Sequence, residues 1–133
     1  MVGMVIVSHG ELATGLLDAI RMIAGNQQGL TVVTLMEGEA PEHHEAEVAT
    51  AIEEVDQGEG VLILADLFGA TPFNVSGRLA MTKAQVEVIT GFNLPMVLEV
   101  CLRREGMDLD EVVAMAKQAG QDGVRVLSES LQE

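Results

Sequence analysis

The chain has no tryptophan and no tyrosine, and its 133 residues include only three phenylalanines. With aromatics at 2% and apolar residues at 48%, a core must be built from Val, Leu, Ile, Met and Ala. That composition suits a parallel sheet covered by helices. Cysteine occurs once, at Cys101, which excludes an internal disulfide framework and a cysteine-based zinc site. Cys101 lies in an apolar helical stretch and reads as a buried, inert thiol. Basic residues are scarce: 7 Lys and Arg stand against 21 Asp and Glu, a formal net charge of −14. Such a charge repels nucleic acid and anionic lipid and is compatible with a basic protein partner. The chain does not open on a basic segment followed by a cleavable apolar stretch, and no apolar run approaches a membrane span. A cytoplasmic location without membrane insertion is therefore expected. Neither a P-loop nor a glycine-rich dinucleotide fingerprint is present, which argues against direct ATP use and dinucleotide binding.

What is present is an alternation of strand and helix, read as one domain over residues 1–133. Residues 2–8 form an apolar first strand, and Leu12, Leu16, Leu17, Ile20 and Ile23 then recur at helical spacing. Leu30 to Met36 reads as a second strand, Gly38-Glu39-Ala40-Pro41 as a loop, and Val48, Ala51, Ile52 and Val55 as the apolar face of a second helix. Gly60 to Asp66 is a third strand. After it, Thr71 is expected to cap a helix with Pro72 at its first position. Val86 to Thr90 gives a fourth strand, and a helix follows Pro95. A last helix through Leu109, Val112, Val113 and Ala116 is expected to close at Gly120, before a short terminal strand over Gly123–Leu127. Repeated βα units predict an α/β fold with an open, mostly parallel sheet and helices on both faces. In the flavodoxin-like order 2-1-3-4, strand 1 is central and the ligand crevice opens between the carboxyl ends of strands 1 and 3.

That order makes neighbours of His9 and Asp66, which end the first and third strands. A carboxylate on one ring nitrogen fixes the tautomer and leaves the other nitrogen as a nucleophile. Gly10-Glu11 and Gly69-Ala70-Thr71-Pro72 are loop-to-helix junctions whose free N–H groups favour anions. Each feature alone has a bland reading: a surface histidine, an aspartate capping its own turn, a helix start. Their convergence in one crevice describes a site that holds a phosphoryl group. His43 and His44 are adjacent, point apart on a helix, and are poor joint metal ligands; a solvated helix start is expected for both. A receiver-type site would place acidic residues where Ser8-His9 stands. A histidine phosphatase would place an arginine at Ser8 and cluster further arginines around the phosphate.

Three segments together resemble the enzyme IIA domain of the mannose family of the bacterial phosphoenolpyruvate-dependent sugar phosphotransferase system. They are Val5-Ile6-Val7-Ser8-His9-Gly10, Asp66-Leu67-Phe68-Gly69-Ala70-Thr71-Pro72-Phe73-Asn74 and Gly91-Phe92-Asn93-Leu94-Pro95-Met96, and the resemblance runs over essentially the whole chain. It implies that His9 is the phosphorylated histidine and Asp66 its carboxylate partner. Gly69, Ala70 and Thr71 match a loop that is typically Gly-Gly-Ser-Pro and that binds the phosphoryl group together with Gly10. Ser8, Phe68 and Asn93 would line the rim. The resemblance implies the small histidine phosphocarrier protein (HPr) as donor and a IIB component as acceptor, here on a separate chain because no Ala/Pro-rich linker follows. It also implies a homodimer that exchanges the last strand, antiparallel, over Val124 to Leu127. No metal or other cofactor is required, since the donor is already an activated phosphoramidate. Two further readings use the same histidine: a regulatory phosphohistidine module without its own permease, and the phosphotransfer subunit of dihydroxyacetone kinase.

Overall fold

A computed structural model describes residues 1–132. Four strands, β1 (Gly3–His9), β2 (Leu30–Leu35), β3 (Val61–Ala65) and β4 (Val86–Thr90), form one sheet of order β2-β1-β3-β4. All three pairings are parallel, as the expected order 2-1-3-4 requires. The intervening helices are α1 (Leu12–Ala24), α2 (Pro41–Val55), α3 (Thr71–Thr82), α4 (Leu94–Arg103) and α5 (Leu109–Asp122), with a short α6 (Leu127–Ser130).

The central strands β1 and β3 are buried along almost their whole length because both sheet faces are covered, which explains their unalternating apolar sequences. Side-chain alternation along the strands sorts the core into two halves. Met4, Ile6, Leu62 and Leu64 face α1, α4 and α5, through Ala13, Ile20, Val97, Val100, Val112 and Ala116. Val5, Val7, Val61 and Ile63 face α2 and α3, through Val48, Ala51, Ile52, Val55 and Val75. Gly3 lets α2 seat on β1: a Cβ there would stand 2.4 Å from the Val55 carbonyl oxygen.

The amino end of the sheet is closed by Arg104, which is 1% exposed although it is the residue after α4. Its guanidinium donates to the carbonyls of Val2 at 2.9 Å, Gly29 at 3.0 Å, and Gln28. Burial lowers its pKa, and three carbonyl acceptors take the place of a carboxylate partner.

Several boundaries differ from expectation. Pro41, read as loop, is the first residue of α2. Thr71 is the first residue of α3 rather than its cap; Ala70 holds the cap position with extended backbone and no side-chain bond. Gly120 does not end α5 but lies buried within it, where a Cβ would stand 2.6 Å from Met96 Cε. It is a packing glycine, and the helix continues to Asp122. The terminal strand is absent among the described residues. A strand persists only in a hydrogen-bonded ladder, and in the single chain Val126 instead accepts from Glu129 and Ser130 to start α6.

Candidate functional site

The β1–β3 pairing places Val7 opposite Ala65, so His9 and Asp66 emerge side by side at the carboxyl ends of the two strands. Asp66 Oδ2 accepts from the His9 backbone N–H at 2.8 Å and sits 2.8 Å from His9 Nδ1. One oxygen thus fixes both the strand end and the ring. With Nδ1–H donated to the carboxylate, the lone pair lies on Nε2. The imidazole is 50% exposed while the Asp66 side chain is 10% exposed. The arrangement can present a nucleophilic nitrogen to a group arriving from solvent and hold the positive ring that results.

The loop after Asp66 is the other half of the site. Gly69 adopts φ +84, a left-handed conformation that favours glycine. Among the described residues the N–H groups of Gly69 and Thr71 have no partner, whereas Ala70 N–H bonds Leu67 O at a long 3.4 Å. Asn74 Nδ2 donates to Gly69 O at 3.1 Å and Asn74 N–H to Ala70 O at 2.9 Å, so the loop is braced from within α3. Two free N–H groups at the start of a twelve-residue helix, with the Thr71 hydroxyl beside them, suit an anion.

Three predicted members are tied into the scaffold. Gly10 is left-handed at φ +52 as its turn requires, but its N–H is donated to Leu35 O at 2.8 Å and is not available to a ligand. Ser8 is not on the rim. It is fully buried on the opposite face from His9, because neighbouring strand residues alternate, and its Oγ accepts the Ala13 N–H at 2.8 Å. Asn93 is committed to structure: its Oδ1 caps α4 through Met96 N–H at 3.0 Å, and its Nδ2 donates to Gly120 O at 2.9 Å. Phe68 does stand at the rim, 75% exposed and 4.6 Å centroid to centroid from Phe73. Leu12 and Leu67, within three residues of His9 and Asp66, and Met36, which follows the Leu35 paired with His9, are exposed with it.

The neighbouring histidines divide. His43 is exposed and bonds Glu39 Oε2 at 2.9 Å, with Glu47 Oε1 at 3.4 Å. The Met36 N–H, then Glu47 and His43, hold the Glu39 carboxyl down at about 2. His44, expected on a solvated helix start, is instead fully buried. The apolar pattern of α2 did not flag it because histidine interrupts an otherwise aliphatic stripe. Cys101 is half-buried, and burial pushes its thiol up, as an inert core thiol requires.

No helix among the described residues is long and apolar enough to cross a membrane. Residues 3–117 match the EIIA-man family, described as the PTS system fructose IIA component. The chain is 34% identical over 127 residues to the mannose-specific EIIAB component of the phosphotransferase system of Escherichia coli (strain K12), covering 95% of this chain and 39% of that one. It thus spans about two fifths of the length of that relative. A fructose-specific EIIA component of Bacillus subtilis (strain 168) is 29% identical over 133 residues, covering all of this chain and 91% of its own. A crystal structure of an EIIA component from Streptococcus agalactiae superposes with a TM-score of 0.90 at 27% identity, covering 97% of this chain and 99% of that one. The chain belongs to the mannose family of enzyme IIA components of the bacterial sugar phosphotransferase system.

Proposed function

We propose that this protein is a phosphocarrier in which His9 Nε2 accepts a phosphoryl group from phosphorylated HPr and passes it to a IIB component for sugar uptake. The observation that carries this reading is the His9–Asp66 contact, 2.8 Å from both the ring and the backbone nitrogen to one carboxylate oxygen. Attack by the Nε2 lone pair forms one P–N bond as the donor's P–N bond breaks, its electron pair staying on the donor imidazole. Asp66 then stabilises the imidazolium formed on His9. The N–H groups of Gly69 and Thr71 and the Thr71 hydroxyl receive the phosphoryl oxygens. Positioning and fixed donors supply most of the catalysis in such a transfer.

Exposure of the ring favours a protein donor over a small molecule, since no enclosure has to open. Leu12, Met36, Leu67 and Phe68 offer an apolar collar to the partner, and the net charge of −14 favours a basic one. Arg21, Arg78 and Arg103 are paired with surface carboxylates and Arg104 lies at the far end of β1, an arrangement unlike an arginine phosphate clamp. Exposed Val124, Val126, Leu127 and Leu131 form an apolar tail that supports the exchanged homodimer. Light scattering should give twice the chain mass, and a monomer would remove that part of the reading.

The test is incubation with phosphoenolpyruvate, enzyme I and HPr, followed by intact mass. One acid-labile phosphate is expected on the wild type and none on His9→Ala. A wild-type protein that takes no phosphate while folded overturns the phosphocarrier reading.

A further inference from the structure

His44 is a buried histidine that the transfer mechanism does not use. It stands in the first turn of α2 and continues the stripe Val48, Ala51, Ile52 and Val55 that covers the sheet face shared by Val5, Val7 and His9. The helix runs back along β1, with Val55 against Gly3. From Val55 to His44 is eleven residues, about 16 Å of helix. From Gly3 to His9 is six residues, about 20 Å of strand. His44 therefore lies beneath the carboxyl end of β1, within electrostatic reach of both His9 and Asp66. Neither ring nitrogen has a hydrogen-bond partner, and Glu39 Oε2, at 4.0 Å from Nδ1, is beyond bonding distance. Asp66 Oδ1 is likewise buried without a partner. A leucine would fill this position without orphaned nitrogens, so packing alone gives no reason for an imidazole.

We infer that His44 is a positioning residue coupled to His9: its buried ring stays neutral while His9 is free and takes a proton from solvent when His9 carries a phosphoryl group. This rests on the phosphocarrier reading above. The groups acting on the ring are Glu39 from the loop before α2, His43 on its own helix, His9 at the end of β1 and Asp66 at the end of β3. In the free protein burial dominates and holds the ring below the ordinary histidine value of 6.5, opposed by Glu39 and Asp66 and aided by His9 and His43. Transfer leaves the Nδ1 proton of His9 against Asp66 and adds a dianionic phosphoryl at Nε2. The site becomes about one unit more negative. That change favours the charged form of His44, which lies within electrostatic reach of the Asp66 carboxylate. By linkage, protonation of His44 favours the phosphorylated state in return.

The experiment is an imidazole ¹⁵N NMR titration of the wild-type protein, with and without phosphate on His9, phosphate gain being checked by intact mass. The His44 midpoint is expected to rise by about one pH unit or more on phosphorylation. A shift of one unit makes the phosphoryl equilibrium with HPr about tenfold more favourable below both midpoints than above them. His44→Leu should lose that part of the pH profile while still accepting phosphate, a readout that a packing role would not move. An unchanged His44 midpoint in the phosphorylated protein overturns the inference alone. A protein that takes no phosphate overturns the phosphocarrier reading and this inference with it.

Discussion

Asp66→Asn isolates charge from geometry at this site. Asp66 Oδ2 holds the His9 N–H and the His9 ring, each at 2.8 Å, and an amide oxygen can accept in both places. The ring therefore keeps its orientation and loses only the negative charge opposite it. A hydrogen bond to a charged group contributes about 1.5–3 kcal/mol and a neutral one about 0.5–1.5 kcal/mol, a difference of about 1–2 kcal/mol. The ring is 50% exposed, so solvent screening favours the lower half of that range. Acceptance of phosphate should slow by roughly tenfold. Asp66→Ala removes the orienting contact as well and should slow it by roughly a further tenfold. The assay is quenched transfer from phosphorylated HPr read by intact mass, with thermal melting as the check on folding. Asp66→Asn keeps both contacts to His9 and should melt near the wild type, whereas Asp66→Ala leaves the His9 N–H without its acceptor and should melt lower, so its rate is compared at a temperature where both proteins are folded. A wild-type rate in Asp66→Asn, with phosphate still arriving on His9, would refute the reasoning.

Gly69→Ala places a Cβ in open space but at φ +84, so roughly 1–2 kcal/mol of backbone strain should fall on the loop. Slower phosphate acceptance with a nearly unchanged urea midpoint is expected, and an unchanged rate would take the loop out of the site. Arg104→Met removes the guanidinium donors from the carbonyls of Val2, Gln28 and Gly29, of which Gly29 O keeps the Met4 N–H, and should destabilise the fold by roughly 3 kcal/mol in urea unfolding, without a comparable effect on transfer in the folded protein. Glu39 is held at about 2 against an ordinary 4.5, so its stabilising contribution is complete above pH 4.5 and lost as pH falls towards 2. Glu39→Gln should flatten the acid dependence of stability in that window, and an identical profile in wild type and variant would show that the contacts to Met36 and His43 do not matter for folding.

The strand order and the sheet's two-sided burial were legible because β1 and β3 are apolar without alternation, a pattern that only a doubly covered parallel strand sustains. His9 and Asp66 were legible for the same reason: a polar residue closing such a strand stands at the crevice. The Ser8 hydroxyl and the Gly10 amide were not legible as structural groups because sequence proximity to the crevice does not say which face a side chain takes or where an N–H is already spent. The Ser8 hydroxyl serves Ala13, the Gly10 amide serves Leu35, and Asn93 joins α4 to α5 across 27 residues. Gly120 looked like a helix end until Met96 proved to occupy the space its side chain would need.

Local rules act over a turn of helix or a pair of strand residues, so the sequence by itself determined the four parallel strands, the five long helices with their apolar faces and the two residues at the ends of β1 and β3, but not the terminal segment, where α6 stands in place of the expected strand. The buried state of His44 and the placing of Arg104 among three carbonyls depend on groups brought together from distant parts of the chain. Only tertiary packing decided those, because solvation and hydrogen-bond partners are properties of the folded neighbourhood and not of the residue.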